Sequence, residues 1–275
     1  MKRKPTTLVA ASAITLSLLA GCSAADTITS QETSTVVEAT TATGAPTGNT
    51  TVDSETVAAT TQAHVEDPAN PDDYGWETAD VVDVSLGSEI TADGDGVLIE
   101  GNTVTITEAG TYHISGTLSD GQIAIEAGDE AVVRLILDNA DITNTAGAAI
   151  AVMSAERAVV LLADGTENTL TDAAVYVLAE GEDEPNAALY SASDLTIGGE
   201  GSLAVYGNYN DGITSKDGLI IDAGNISVEA VDDGIRGKDY VIVNGGTLDV
   251  TAAGDGIKAD NDVDADRGHI VVAGG

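Results

Sequence analysis

The sequence predicts an all-β fold, a right-handed parallel β-helix with about 22 residues per coil. Three observations predict it. Asp211-Gly212-Ile213 recurs as Asp233-Gly234-Ile235 and as Asp255-Gly256-Ile257, at two equal intervals. The runs between these triplets alternate apolar and polar residues with period 2, the signature of strands. The apolar residues are almost all Ala, Val, Ile and Leu, with 3% aromatic residues and no Phe. Small aliphatic side chains at equivalent positions can stack in a narrow interior, one strand spacing of about 4.8 Å apart.

The chain elements follow in order. Residues 1–21 read as a secretory leader: Lys2, Arg3 and Lys4 precede an apolar stretch from Leu8 to Ala20 that is too short to span a bilayer. Leu19-Ala20-Gly21-Cys22 resembles a bacterial lipobox, which implies cleavage after Gly21 and lipidation of Cys22. The mature chain keeps 7 basic and 46 acidic residues, a net charge of −39. The expected location is the extracytoplasmic face of the cell membrane. Residues 22–73 are rich in Thr, Ala and Ser without a periodic apolar face, so a disordered tether is expected there. Tyr74 and Trp76 open the domain, placed at residues 74–275.

The repeat is clearest after residue 187. Leu219 and Ile221 shift to Val241 and Val243, while Ile226, Val228 and Ala230 shift to Leu248, Val250 and Ala252. Leu189, Leu195 and Ile197 stand slightly more than one interval before Ile213, Leu219 and Ile221. Each repeat thus holds two alternating runs, joined by turns that carry the Asp-Gly-Ile triplets. Residues 97–170 read as earlier, less regular coils, and Asp172 to Asn186 as an acidic loop on one flank. Seven to eight coils at roughly 22–26 residues each are expected. The sequence stops in mid-repeat, Ile270 and Val272 matching a first strand with no second run behind them, so the domain is expected to be truncated at its C-terminus.

Charge excludes several functions. A chain this acidic has no basic face for nucleic acid or anionic lipid headgroups. The single Cys excludes an internal disulfide framework. Stacking places Asp211, Asp233 and Asp255 about 5 Å apart, where like charges repel by about 0.8 kcal/mol even in bulk water. Such an array needs cations, and calcium, with six to eight oxygen ligands and tolerant geometry, suits it outside the cell. Asn210, Asp211, Asp232, Asp233, Asp255, Asp260 and Asp262 are the candidate ligands. The run Asp260–Asp266 is not an EF-hand loop, because Ala265 and Val271 stand where Gly and Glu belong.

Five of the seven mature basic residues cluster in one region: Lys216, Arg236, Lys238, Lys258 and Arg267. Lys216 and Lys238 are one repeat apart, as are Arg236 and Lys258, so two columns are expected beside the acidic turns. They either compensate the Asp array or, with bound calcium, form a mixed face for a polymer of uronic acids. Tyr206, out of phase with Leu203 and Val205, is the candidate sugar-stacking residue.

Two other functions stay open. A pectate-lyase-like enzyme would pair calcium with Arg236 or Lys238 as base, beside Asp232 and Asp233. These basic positions recur in register, which a single catalytic base does not require, so no enzyme is expected. A structural adhesin or cell-envelope spacer would use calcium only to stiffen the stack.

Asn208-Tyr209-Asn210-Asp211-Gly212-Ile213, Asp232-Asp233-Gly234-Ile235-Arg236-Gly237-Lys238 and Gly254-Asp255-Gly256-Ile257-Lys258-Ala259 carry a resemblance. From about residue 80 onward the chain resembles the bacterial carbohydrate-binding domain-containing proteins. The best-known type is a clostridial parallel β-helix that binds calcium, polygalacturonate and cellulose. The resemblance implies a non-catalytic, calcium-dependent binder of acidic, pectin-like polysaccharide, expected to be a monomer.

Overall fold

The computed structural model describes residues 70–75 and 80–275. The leader, Cys22, the tether up to residue 69 and Trp76 lie outside the described residues. Every described residue belongs to one compact unit, Val52–Gly275.

After a 3-10 turn at Pro71–Tyr74, strands follow one another without an α-helix among the described residues. They begin with β1 (Val81–Leu86), β2 (Thr91–Asp93), β3 (Val97–Glu100), β4 (Thr103–Ile106), β5 (Gly110–Leu118), β6 (Gln122–Glu126) and β7 (Val132–Thr143). Next come β8 (Ile150–Ser154), β9 (Arg157–Leu162), β10 (Glu167–Thr171), β11 (Ala187–Ser191), β12 (Asp194–Gly199) and β13 (Ser202–Gly207). The last are β14 (Asp211–Ser215), β15 (Gly218–Ile221), β16 (Asn225–Ala230), β17 (Ile235–Gly237), β18 (Tyr240–Val243), β19 (Thr247–Ala252), β20 (Ile257–Lys258) and β21 (His269–Val272).

These strands pair into three parallel ladders. The first runs β7-β9-β12-β15-β18-β21 and the second β7-β10-β13-β16-β19. β7 serves both: residues 132–137 pair with β9 and residues 141–143 with β10. It turns between them at Asn139, whose φ is 53°. The third ladder runs β4-β6-β8-β11-β14-β17-β20, seven parallel strands. Each regular repeat therefore supplies three strands rather than the two that alternation reveals. The missed one is the Asp-Gly-Ile run, too short to show a period.

The registers are those the spacing predicts. Ile213 pairs with Ile235 and Ile235 with Ile257; Leu195, Leu219 and Val241 share a row, as do Leu203, Ile226 and Leu248. Their side chains point inward and fill one continuous aliphatic core. Fully burying each such side chain is worth about 1.5–3 kcal/mol.

Two antiparallel hairpins close the N-terminal end. β3 lies antiparallel on β4, and β2 on β1, which then pairs with β5. Residues 97–100 are thus a cap rather than part of a coil, and the third ladder begins with β4. The signal lay in Gly101-Asn102, a two-residue link between alternating runs, with Gly101 at φ 61°. The acidic loop 172–186 is anchored by Tyr176, which is buried among Ala148, Ala151 and Ala173. Among the described residues no helix is long and apolar enough to cross a membrane.

Candidate functional site

Backbone crowding sets the corner before the third ladder. A Cβ on Gly212 would lie 2.3 Å from Val228 Cγ1 and 2.7 Å from the Gly234 carbonyl oxygen; Gly234 meets Val250 and Gly256 in the same way. Only Gly fits there. The Asp just before it is therefore carried into the fold. Asp211 is fully buried, Asp233 is 3% exposed and Asp255 is exposed.

The turns expected around the Asp-Gly-Ile triplets thus hold two of the three carboxylates inside the fold. Each buried Asp accepts the backbone N–H of its counterpart one repeat on. Asp211 Oδ1 accepts from Asp233 N at 3.2 Å, and Asp233 Oδ1 from Asp255 N at 2.9 Å. Asn210 Nδ2 and Thr214 Oγ1 also donate to Asp211, each at 2.9 Å. A carboxylate so used is a structural cap as well as a charge.

The basic column answers the acidic one. Arg236 and Lys258 are adjacent in register on the outside of the third ladder. Arg236 lies 3.6 Å from Asp211 Oδ2 and donates to Asp260 Oδ2 at 2.6 and 3.1 Å. Lys258 Nζ sits 2.8 Å from Asp233 Oδ2 and 3.9 Å from Asp255. Burial pushes the Asp211 carboxyl above the usual range, against the bonds from Thr214 and Asp233 N. Burial would do the same to Asp233, but the Lys258 ammonium and the Asp255 N–H outweigh it and hold that carboxyl below its ordinary value. Arg236 and Lys258 thus both pair with acidic residues of the array. Lys216 is paired as well, with Glu184 of the acidic loop. Lys238, one repeat on, is exposed and makes no ion pair among the described residues.

Of the seven predicted ligands, the structure gathers three. Oxygen atoms of Asp211, Asp232 and Asp233 all lie within 4.8 Å of one another. Asp232 is exposed, and no group among the described residues bonds to its carboxylate. The carboxylates converge where the next repeat has Gly254: a Cβ there would lie 2.6 Å from Asp232 Oδ1 and 2.7 Å from Asp233 Oδ1. Asn210 adjoins the group through Asp211. Asp255, Asp260 and Asp262 are not in this group: Asp255 and Asp262 face solvent, and Asp260 gives Oδ2 to Arg236 while its Oδ1 is buried without a hydrogen-bond partner.

Sequence reasoning missed several residues. Asn186 stands one row before Asn210, because Ala187 pairs with Asp211. Its Oδ1 is buried and has no hydrogen-bond partner. Tyr176 stacks on Tyr209 with ring centroids 4.2 Å apart, and its hydroxyl donates to buried Asp172 at 2.7 Å. Burial holds the Asp172 carboxyl above its usual value despite this bond. A second acidic column, Asp194, Asp217 and Asp239, lies where the third ladder turns into the first, with Arg267 paired to Asp239. The step of one repeat from Asp217 to Asp239 was the available signal. Tyr206 does point outward from β13, 39% exposed, with Thr171 and Glu229 as its register neighbours.

The fold and the site define an all-β repeat protein with carboxylates ordered along its corners. The chain belongs to the carbohydrate-binding domain-containing protein family, whose model matches residues 100–275. A relative with that description from Acetivibrio thermocellus is 44% identical over 144 residues, 52% of this chain and 50% of the relative. The chain thus spans about half the length of the curated relative it matches. The solved structure of a polysaccharide lyase-like protein from C. thermocellum, as a gadolinium derivative, aligns with TM-score 0.69 and 40% identity, covering 70% of this chain and 79% of that one.

Proposed function

We propose that the chain winds as a right-handed parallel β-helix and binds acidic, pectin-like polysaccharide through calcium without cleaving it. The observation that carries this reading is the convergence of Asp211, Asp232 and Asp233 within 4.8 Å. A hard cation suits an all-oxygen group. The cradle that a Cβ on Gly254 would fill favours an ion there. Asp211, Asp232 and Asp233 would hold calcium, with Asn210 beside them. Bound calcium supplies positive charge that a uronate carboxylate can share. Without it, a net charge of −36 repels a polyanion. Lys238 is the basic side chain left open to pair with the polymer.

The reading extends to the rest of the chain: a lipid anchor at Cys22, a tether, and a monomeric domain held outside the membrane. Binding of the full chain to polygalacturonate, with calcium and then with excess chelator, tests it. Retention only with calcium supports the reading, and no retention in either condition refutes it.

The name of the solved relative favours one alternative, a polysaccharide lyase. Arg236 is a poor base for it, because its carboxylate partners Asp260, Asp211 and Asp233 outweigh burial and hold its proton more tightly than usual. Ultraviolet absorbance from unsaturated uronide in the same samples would establish cleavage.

A further inference from the structure

The outer surface of the first ladder is buried where a surface sheet should be open. Register places Val159, Thr196, Ile220 and Ile242 in one column. Their neighbours along each strand, such as Leu195, Ile197, Leu219 and Val241, fill the core, so this column points away from it. Yet Val159 is 0%, Thr196 1%, Ile220 5% and Ile242 3% exposed. The three apolar members belong to neither apolar cluster of the domain. The second ladder is the control: its outward Ser227 and Asp249 are exposed. A segment must therefore lie over the first ladder.

Part of it is seen. Residues 70–75 form a strap on this face. Arg134 donates to the carbonyl oxygens of Asp72 and Asp73 at 2.8 and 2.9 Å, and Arg157 pairs with buried Asp73 at 2.8 Å. The Tyr74 ring lies over Gly198, and its hydroxyl bonds Asp222. Arg134 is in register with Val159, so the strap starts in the buried column itself.

The chain after the strap has to return to β1, beyond β5 at the other side of this ladder. It must pass β9, β7 and β5 to reach β1, about 19 Å at about 4.8 Å per strand. Residues 74 to 81 span roughly 23 Å when extended, so that link is nearly used up by the return. The segment before Asn70 is the one left to cover the column. Residues 52–69 carry Val52, Val57, Ala58, Ala59, Ala63 and Val65 for the purpose, and Val52 is where the compact unit begins.

We propose that residues 52–69 dock along the outer face of the first ladder, over Val159, Ile220 and Ile242. The free tether is then residues 22–51 alone, and this face is closed to ligands. Hydrogen exchange of the full chain, read by mass spectrometry, tests it. Amides of residues 52–69 should exchange at least about tenfold more slowly than those of residues 23–51. The double variant Ile220→Ser, Ile242→Ser should abolish that difference while β11 and β14 stay protected. Equal exchange of the two segments in the parent chain overturns the proposal. So does a dimer by light scattering with residues 52–69 unprotected, which would assign the cover to a second copy.

Discussion

Identical positions in successive repeats have different fates. Leu203 and Ile226 are each 1% exposed, whereas Leu248, in the same row, is half-buried. Ile213 and Ile235 are 0% exposed, and Ile257 is half-buried. The row is the same and the side chains are alike; the number of repeats flanking them within residues 80–275 differs. Burial in this fold is a property of neighbours, and stability is shared between adjacent repeats rather than owned by each.

The sharpest test of that contrast is a pair of truncations. Ile213→Ala should cost about 3 kcal/mol, since it leaves a cavity walled on both sides. In the chain of residues 1–275, Ile257→Ala should cost less than about 1 kcal/mol, because its site there is half open. Urea denaturation of the two variants measures the difference, and equal losses would break the comparison. A second test concerns the acidic column. Asp211→Ala removes the acceptor for the Asp233 N–H and for Thr214, and should cost about 2 kcal/mol. Asp255→Ala, at an exposed carboxylate, should stay within about 0.5 kcal/mol by the same assay. With calcium present, Asp232→Asn should lower the calcium-dependent rise in Tm while leaving the Tm in chelator unchanged.

The weakest expected effects come from titration, and they separate the ends of the stack. His113, near the N-terminal cap, lies 2.8 Å from Asp83 and 3.1 Å from Asp138. Burial alone would lower its pKa, but the bonds to these two carboxylates raise it above the ordinary 6.5. Its contribution is therefore full below about 6.5 and is lost as pH rises through the raised value. Asp172 acts in the same sense at lower pH: its carboxyl is raised, so its contribution is present below the ordinary Asp value and fades as pH rises through the folded one. Glu184 runs the other way. The Lys216 and Tyr190 bonds outweigh burial and lower its pKa, so its contribution is lost as pH falls through the folded value. In chelator, His113→Gln should remove part of the fall in Tm expected as pH rises above about 6.5; an unchanged pH profile would sink this assignment.

The inner half of this molecule was legible in its sequence. Constant repeat spacing and period-2 alternation identify Leu219, Val228 and Val241 as core residues and give their register, because each inward residue needs a partner of similar size one repeat away. The outer half was less legible. Nothing local to Asp211-Gly212-Ile213 shows that Asp211 is buried, since its partners, Asp233 N and Arg236, belong to the next repeat. The hairpin at residues 97–106 was visible in its turn but obscured by the expectation of coils. The outward burial of Ile220 and Ile242 leaves no trace in the periodicity.

The strap also decides how the domain bears load. Tension on the chain ahead of Asn70 does not first reach β1, which lies between β2 and β5 near the end of its sheet and could peel off one hydrogen bond at a time. It meets Arg134, Arg157 and Asp222, on or just beyond three different strands of the first ladder, so their bonds are sheared together. A polymer pulling on the far faces would be resisted by a clamp rather than by a zipper.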